Sequence, residues 1–256
     1  MSNLQSQTNW RHWLHRWDVQ QSGYLPLREE RFQVMLDALS LTMPESFTAL
    51  DLACGPGAIS QRLLQRFPAA RCIAVDYDPV LLAIGQGSLG TMGNRLRWIE
   101  ADLMQAGWIE ILGESQVDAV LSTTALHWLP IDQLVRLYQQ LGHLVRSGGI
   151  FLNGDHLYFS PHLETFKRLA KTIQTQQEEQ AFVEGNQEDW QRWWQAIADE
   201  PALKALLEER QRRFAPRLTD NEPTLELHAA ALREAGFRQV DTIWQRWDDR
   251  ILMAVR

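Results

Sequence analysis

Carboxylates and a glycine-rich turn stand in this sequence where side chains and free backbone can bind a nucleoside. The stretch ALDLACGPGAISQRL carries Asp51 in an apolar run, passes through Gly55 and Gly57, and resumes with a helical pattern. Glycine lets the backbone approach a ligand closely, and a following helix begins with free N–H groups. Asp76 comes about twenty residues beyond the glycines, where a carboxylate accepts hydrogen bonds from both hydroxyls of a ribose.

These features alone leave open whether the ligand is a dinucleotide or another adenosine-bearing molecule. Gly-x-Gly is a weak signal, and Ser60 stands at the third glycine position. Asp51 would repel a pyrophosphate, whereas it would hold a cationic amino group. Asp102, in the segment EADL, is placed to accept a hydrogen bond from an adenine amino group. The segment STTALHWLP further along adds polar and aromatic side chains, among them His127 and Trp128.

Alternating strands and helices must position these side chains. Strands are predicted at FTALDLA, RCIAVDY, LRWIEAD, VDAVLST and GIFLNGD, and helices at AISQRLLQRF, PVLLAIGQGS and PIDQLVRLYQQLGHLV. Pro79 suits the first position of the second helix, and Ser147-Gly148-Gly149 is predicted to end the third. This alternation is typical of right-handed βαβ crossovers and a parallel sheet. RQVDTIWQRW and DRILMAVR flank a short turn around Asp248-Asp249, so we expect them to be antiparallel neighbours.

The motifs together resemble the class I S-adenosylmethionine-dependent methyltransferases. The resemblance covers about residues 45–155 and 224–256, and it is carried, in order, by LDLACGPG, AVDYDP, EADL, VDAVLSTTALHWLP and LVRSGGIFL. ALHWLP is most similar to the small-molecule branch, the trans-aconitate methyltransferase-like enzymes. Ala53 departs from the family pattern, since many members have a glycine there. Ser122-Thr123-Thr124 replaces the Asn/Asp-Pro-Pro-Tyr/Phe run of the branches that methylate nucleobases or glutamine amides, which disfavours those substrates.

This resemblance implies a fold, a domain layout and a cofactor. The fold would be α/β: a Rossmann-like, doubly wound sheet of seven strands, mostly parallel, with an antiparallel C-terminal hairpin and a helical insertion. We expect an N-terminal helical lid at residues 1–40, the methyltransferase core at 41–160 and 216–256, and a helical cap at 161–215. The cofactor would be S-adenosyl-L-methionine, and the product S-adenosyl-L-homocysteine.

The implied cofactor-binding set spans the ends of the first four strands. Its members are Asp51, Ala53, Gly55, Gly57, Asp76, Tyr77, Asp102, Leu103, Ser122 and Thr123. Asp76 would bind the ribose hydroxyls, Tyr77 would lie against the adenine, and Asp102 would contact the adenine edge. For Asp76 and Asp102 the alternative is a carboxylate that caps its own turn, and for Tyr77 it is packing.

Several residues are candidates for contact with the methyl acceptor. His127 is the candidate general base, and its alternative is a hydrogen-bonded structural histidine at the mouth of the sheet. His156, with Asp155 and Tyr158 beside it after the fifth strand, is a second base candidate. The acceptor-side candidates other than His127 are Trp128, His156, Tyr158 and Trp194. Two tryptophan groups have helical spacing, and each either packs onto the body of the protein or covers a ligand. These groups are Trp10, Trp13 and Trp17, and Trp190, Trp193 and Trp194.

The composition limits the classes of binding partner that we expect. The 256 residues carry a net charge of −7, which argues against nucleic acid as the main partner. A small-molecule acceptor is the partner that the resemblance implies. No metal is expected, since the two cysteines lack metal-ligand spacing; they indicate free thiols and, with no secretory core at the N-terminus, a cytoplasmic protein. No apolar run is long enough to span a membrane. Two other functions stay open: an NAD(P)-dependent oxidoreductase, and a methyltransferase-like protein that binds the cofactor without turnover.

Overall fold

A computed structural model describes residues 8–215 and 222–256, which form one sheet of seven strands with helices on both faces. The strands are β1 (Thr48–Leu52), β2 (Arg71–Asp76), β3 (Leu96–Glu100), β4 (Val117–Thr123), β5 (Val145–His156), β6 (Gln239–Arg246) and β7 (Asp249–Val255). Their order across the sheet is β3-β2-β1-β4-β5-β7-β6. Strands β1 to β5 pair in parallel, and β7 runs antiparallel to both of its neighbours. The predicted fold class is confirmed.

Helices connect the strands and extend the chain beyond them. They are α1 (Trp10–Tyr24), α2 (Arg28–Thr42), α3 (Ala58–Arg66), α4 (Pro79–Leu89), α5 (Trp108–Leu112), α6 (Ile131–Leu144), α7 (Glu164–Glu178), α8 (Trp190–Ala198), α9 (Lys204–Phe214) and α10 (Leu225–Glu234). A 3₁₀ turn spans Leu126–Trp128, and a π-helical turn spans Glu179–Glu184. Pro79 does begin α4, with Asp78 as its N-cap. Residues 1–7 of the expected lid and 216–221 of the expected core lie outside the described residues.

Strand alternation divides the core between the two faces of the sheet. On β1, Leu50 and Leu52 point to one face and pack with residues of α5, α6 and α10, including Trp108 and Tyr138. Ala49 points to the other face and packs with α2 and α3. Because side chains alternate along a strand, Asp51 shares the face of Ala49, and α3 covers it.

Tryptophans from both predicted groups meet in a third apolar cluster, between α1, α4 and α8. Trp13 and Trp17 are buried against Trp193, with ring centroids 6.1 and 5.1 Å apart. Val80 and Ile84 of α4 complete this cluster on the side of the sheet. Packing onto the body of the protein therefore describes these three tryptophans, and a ligand-covering role stays a prediction.

One predicted helix end is wrong. The helix predicted to close at Ser147-Gly148-Gly149 ends at Leu144, and the chain turns directly into β5 at Val145. The glycines serve the sheet instead, because a register shift lies between Val117 and Ala119 where β4 and β5 pair. A Cβ on Gly149 would come within 2.7 Å of the Asp118 carbonyl oxygen, so the two strands meet closely only with glycine there. The hairpin turn also shifts by one residue, to Trp247 and Asp248.

Candidate functional site

The glycine turn lies at the carboxyl end of β1, where a parallel sheet binds its ligands. Ala53, Gly55 and Gly57 all adopt positive φ angles, of 52°, 54° and 85°. Gly57 has a packing reason as well, because a Cβ there would lie 2.6 Å from the ring of Trp98. Ala53 keeps the left-handed conformation at a cost of about 1–2 kcal/mol relative to a glycine. The substitution therefore preserves the shape of the turn.

Asp51 lies beneath the turn as a buried carboxylate with one unpaired oxygen. Its Oδ2 accepts a hydrogen bond of 2.6 Å from the Ser60 hydroxyl, while its Oδ1 has no hydrogen-bond partner. Burial raises the pKa of Asp51 to about 7, and the nearby Asp76 carboxylate adds to the rise. A buried acceptor without a donor is costly, and a ligand with N–H donors would relieve that cost. Sequence reasoning missed the role of Ser60, whose signal is a polar residue in an otherwise apolar helix start.

Asp76 ends β2 and ties the turn after β1 to the turn after β2. Its Oδ2 accepts from the Gly55 N–H at 2.7 Å and its Oδ1 from the Asp78 N–H at 2.7 Å. Burial, followed by repulsion from Asp78, raises the pKa of Asp76 to about 6. The capping alternative is thus present in the structure. Each carboxylate oxygen still has a second lone pair, so capping and ribose binding are compatible.

An open cleft of about 310 Å³ lies beside the ends of β2 and β3. Its lining includes Tyr77, Glu100, Asp102 and Trp108. Asp102 accepts a hydrogen bond from the Met104 N–H at 3.0 Å, so it caps its own turn while it borders the cleft. Leu103 packs against the core of the sheet and is not part of the cleft lining.

His127 and Asp155 form a pair at the ends of β4 and β5. The two strands are parallel neighbours, with Thr123 opposite Gly154, so the residues that follow them meet. His127 Nδ1 lies 2.6 Å from Asp155 Oδ1, and the His127 backbone N–H donates to Asp155 Oδ2 at 3.1 Å. Burial would raise the pKa of Asp155, but attraction to His127, His156 and Arg31 together with the His127 hydrogen bond holds it well below its usual range. Asp155 is therefore ionised and fixes the ring of His127.

The remaining sequence-predicted residues divide between two regions. Near His127 lie the exposed Trp128, with ring centroids 4.9 Å apart, and His156, at 5.9 Å. Tyr158 stacks on His156. Trp194 lies elsewhere, with α1, α4 and α9, where the Arg210 guanidinium sits 3.7 Å from its ring centroid. Its place on the acceptor side stays a prediction.

Ser122 and Thr123 end β4 in different surroundings. Ser122 is fully buried, and its hydroxyl donates to the Leu52 carbonyl at 2.9 Å, which joins β4 to β1. Thr123 is half-buried at the end of the strand. Of the two, Thr123 is the one that reaches the edge where Asp76 and His127 lie.

Metal-ligand clusters and membrane-spanning helices are both absent from the described ranges. Residues 8–215 and 222–256 contain no cluster of three or more His, Cys, Asp or Glu side chains arranged to hold a metal ion. Over the same ranges no helix is long and apolar enough to cross a bilayer. Cys54 and Cys72 are both free and buried, and burial raises the pKa of both thiols.

Comparisons with known proteins agree with this geometry. Residues 49–149 match the family model of a methyltransferase domain, a span of less than half of the chain. Trans-aconitate 2-methyltransferase from Azoarcus sp. (strain BH72) is 33% identical over 135 residues. That match covers 52% of this chain, and the chain spans about half the length of the relative, 48%.

Solved structures share the fold over most of the chain. A possible exported protein from Bordetella parapertussis superposes with a TM-score of 0.59 at 16% identity, covering 89% of this chain and 67% of that protein. An O-methyltransferase family protein from Burkholderia thailandensis superposes with a TM-score of 0.58 at 17% identity, covering 96% and 61%. The glycine turn, the sheet order and the matched residues thus agree, and residues 49–149 of the chain are similar to a methyltransferase domain.

Proposed function

We propose that this protein transfers the methyl group of S-adenosylmethionine to a small-molecule acceptor. The observation that carries the proposal is the row of carboxylates at the ends of β1, β2 and β3, beside the glycine turn and an open cleft. Asp51 and Asp76 are buried there at raised pKa, at the edge where a parallel sheet binds ligands. The trans-aconitate 2-methyltransferase relative supports a small acceptor.

The residues fit the cofactor by the chemistry of their donors and acceptors. The unpaired Oδ1 of Asp51 is suited to an ammonium group, which would keep the carboxylate ionised. Asp76 has spare lone pairs for the ribose hydroxyls, and the cleft with Tyr77 and Asp102 would take the adenine. Gly55, Gly57 and Ala53 would border the methionine and ribose portion. A pyrophosphate in the same place would face two buried carboxylates, which is why an NAD(P)-dependent oxidoreductase is disfavoured.

The cofactor supplies an electrophilic methyl group on a sulfonium, and the protein must place an acceptor in line with it. His127 lies in the turn that follows β4, where it could contact the acceptor. Because ionised Asp155 accepts the proton on Nδ1, the neutral ring carries its lone pair on Nε2. Nε2 could then take the proton of a hydroxyl acceptor as its oxygen attacks, or the proton of an ammonium acceptor before its lone pair attacks, and the methyl–sulfur bond would break as the new bond forms. We propose His127 as the general base and Asp155 as the residue that positions it.

A carboxylate acceptor is the second candidate, because the relative's name indicates an acid substrate. A carboxylate needs no base, so His127 would then bind and orient the acceptor rather than remove a proton from it. The two candidates differ in whether removing His127 lowers kcat or raises KM.

Ligand-dependent stabilisation tests the cofactor assignment. Unfolding temperatures are measured alone and with S-adenosylmethionine, S-adenosylhomocysteine, NAD or NADP. A ligand at about a hundred times its Kd stabilises the folded state by about 2.7 kcal/mol. We expect a clear rise with the two adenosyl sulfur compounds only. A rise with NAD or NADP alone, or with none of the four, contradicts the proposed function.

A further inference from the structure

We propose that Arg213, on helix α9 of the helical insertion (residues 161–215), is a positioning residue for the adenosine half of the cofactor. This inference rests on the proposed function and deepens it, because it assigns part of the cofactor site to a segment outside the matched residues 49–149. Arg213 lies 136 residues beyond Tyr77 in the chain, and none of the sequence motifs includes it.

Arg213 makes three contacts with the two residues that flank the cleft. Its Nη1 donates to the Tyr77 carbonyl oxygen at 2.9 Å, and its guanidinium carbon lies 4.8 Å from the centroid of the Tyr77 ring. Its Nη2 lies 2.7 Å from Oε1 of Glu100. One planar cation thus holds the backbone and ring of Tyr77 and the carboxylate of Glu100 at once.

Tyr77 and Glu100 both line the cleft that also contains Asp102 and Trp108. The cleft lies at the ends of β2 and β3, the place proposed above for the adenine and ribose. A Tyr77 ring that is already fixed loses less freedom when a base packs near it, so holding the ring should favour binding. Arg213 therefore acts on the ligand through Tyr77 and Glu100.

The helix that carries Arg213 is itself well anchored. Glu209, one turn earlier, accepts from Arg213 Nε at 2.7 Å. Arg210 lies on the same side of α9, and its Nε is 2.5 Å from Oδ2 of Asp78, the N-cap of α4. Arg210 also stacks on Trp194, which joins α8 to the same contact. The Arg210–Asp78 ion pair and the Arg213–Tyr77 hydrogen bond thus tie the insertion to the loop after β2.

Arg212 provides a matched control on the same helix. Its side chain is 70% exposed and pairs with Glu209 of its own helix. Replacing it removes the same charge, one residue away from Arg213, without changing the contact with Tyr77 or Glu100. An effect of overall charge on the ligand would appear equally in both variants.

The experiment measures Kd by titration calorimetry for S-adenosylhomocysteine and for 5′-methylthioadenosine, which has the adenosine half but no amino-acid group. We expect Arg213→Ala to weaken both ligands by the same factor, about tenfold, as for loss of a cation–aromatic contact and an ion pair. Arg212→Ala should stay within about twofold, since exposed ion pairs contribute little. Asp51→Asn serves as the reference for the amino-acid half of the cofactor. It should weaken binding of S-adenosylhomocysteine but not of 5′-methylthioadenosine.

A conservative variant separates positioning from folding. Arg213→Lys keeps a charge for Glu100 but lacks the planar group that lies on Tyr77, so we expect an intermediate affinity at an unchanged unfolding temperature without ligand. Unchanged affinity of Arg213→Lys and of a folded Arg213→Ala for both ligands overturns the inference. Weakening of S-adenosylhomocysteine alone overturns the adenosine assignment. A wild-type protein that binds neither ligand contradicts the proposed function instead.

Discussion

At the scale of single residues, the His127–Asp155 pair is the feature with the clearest chemical consequence. The motif ALHWLP indicated His127, whereas Asp155 was noted only beside His156 and Tyr158. The 2.6 Å contact joins residues 28 positions apart and depends on β4 and β5 being neighbours. Its value to a base is orientation, because a buried ionised carboxylate holds one nitrogen and leaves the other for the acceptor.

Variants of this pair distinguish a protic acceptor from a carboxylate. Methyl incorporation and S-adenosylhomocysteine release are followed by mass spectrometry with a panel of hydroxylated compounds and trans-aconitate. With a hydroxyl acceptor, His127→Ala should lower turnover by about 10²–10⁴-fold, the usual effect of removing a general base. Asp155→Asn should lower it too, by favouring the wrong ring tautomer. Both should leave the Kd of S-adenosylhomocysteine unchanged.

The separate effects on kcat and KM provide the control. Loss of a base lowers kcat, whereas loss of a group that only binds a carboxylate acceptor raises KM and leaves kcat unchanged. Full activity of His127→Ala on every accepted substrate would remove His127 from the mechanism. If trans-aconitate is the one compound methylated, and His127→Ala raises only its KM, the result would support a carboxylate acceptor.

At the scale of elements, α1 and α8 pack through aromatic side chains rather than through the sheet. Trp193 is fully buried, with ring centroids 5.1 Å from Trp17 and 4.8 Å from Trp194. The sequence spacing of the tryptophans predicted a shared helix face for each group. It did not predict that the two faces pack against each other, since the spacing within one helix carries no information about its partner.

Trp193→Ala should therefore destabilise the protein far more than Trp190→Ala. Removal of a buried tryptophan leaves a cavity, and we expect a loss of about 3–5 kcal/mol in the free energy of unfolding. Trp190 is 40% exposed on the same helix, and its replacement should cost about 1 kcal/mol or less. Urea unfolding followed by circular dichroism measures both. Equal losses would mean that the α1–α8 contact does not hold the insertion in place.

At the scale of the whole molecule, two buried carboxylates make the stability of the protein dependent on pH. Burial raises the pKa of Asp51 to about 7 and that of Asp76 to about 6, above their values in an unfolded chain. The folded state then binds protons more tightly than the unfolded state, so this stabilisation is present at low pH and is lost as pH rises through these values. Burial lowers the pKa of His228 to about 4, which opposes the trend only below about pH 6.5.

Between pH 6.5 and 8 we therefore expect the unliganded protein to lose about 1 kcal/mol of stability through Asp51. Asp51→Asn should remove this loss and be more stable than the wild type at pH 8. Stabilisation by S-adenosylhomocysteine should instead increase with pH, because its ammonium group favours ionised Asp51. The ligand-induced rise in Tm should therefore be larger at pH 8 than at pH 6. Scanning calorimetry with and without ligand measures both slopes. A ligand effect independent of pH in both proteins would contradict the assignment of Asp51 to the ammonium.

The sequence by itself determined the elements and the edge of the sheet where the proposed ligand site lies. Apolar runs, Pro79 and the glycine turn are local signals, and each acts on its own stretch of chain through conformational preference and burial. The helix end assigned to Gly148 and Gly149 was the exception. A glycine is needed at 149 because β4 passes close to the chain there, and not because the helix ends there.

Only the tertiary structure decided which side chains meet. His127 and Asp155 are separated by 28 residues, and Arg213 and Tyr77 by 136. Each pair depends on strand order or on how the insertion packs, and those follow from the burial of whole faces rather than from any local pattern. The local pattern therefore indicated the class of cofactor, whereas the residues that surround both ends of the site were assembled by long-range packing.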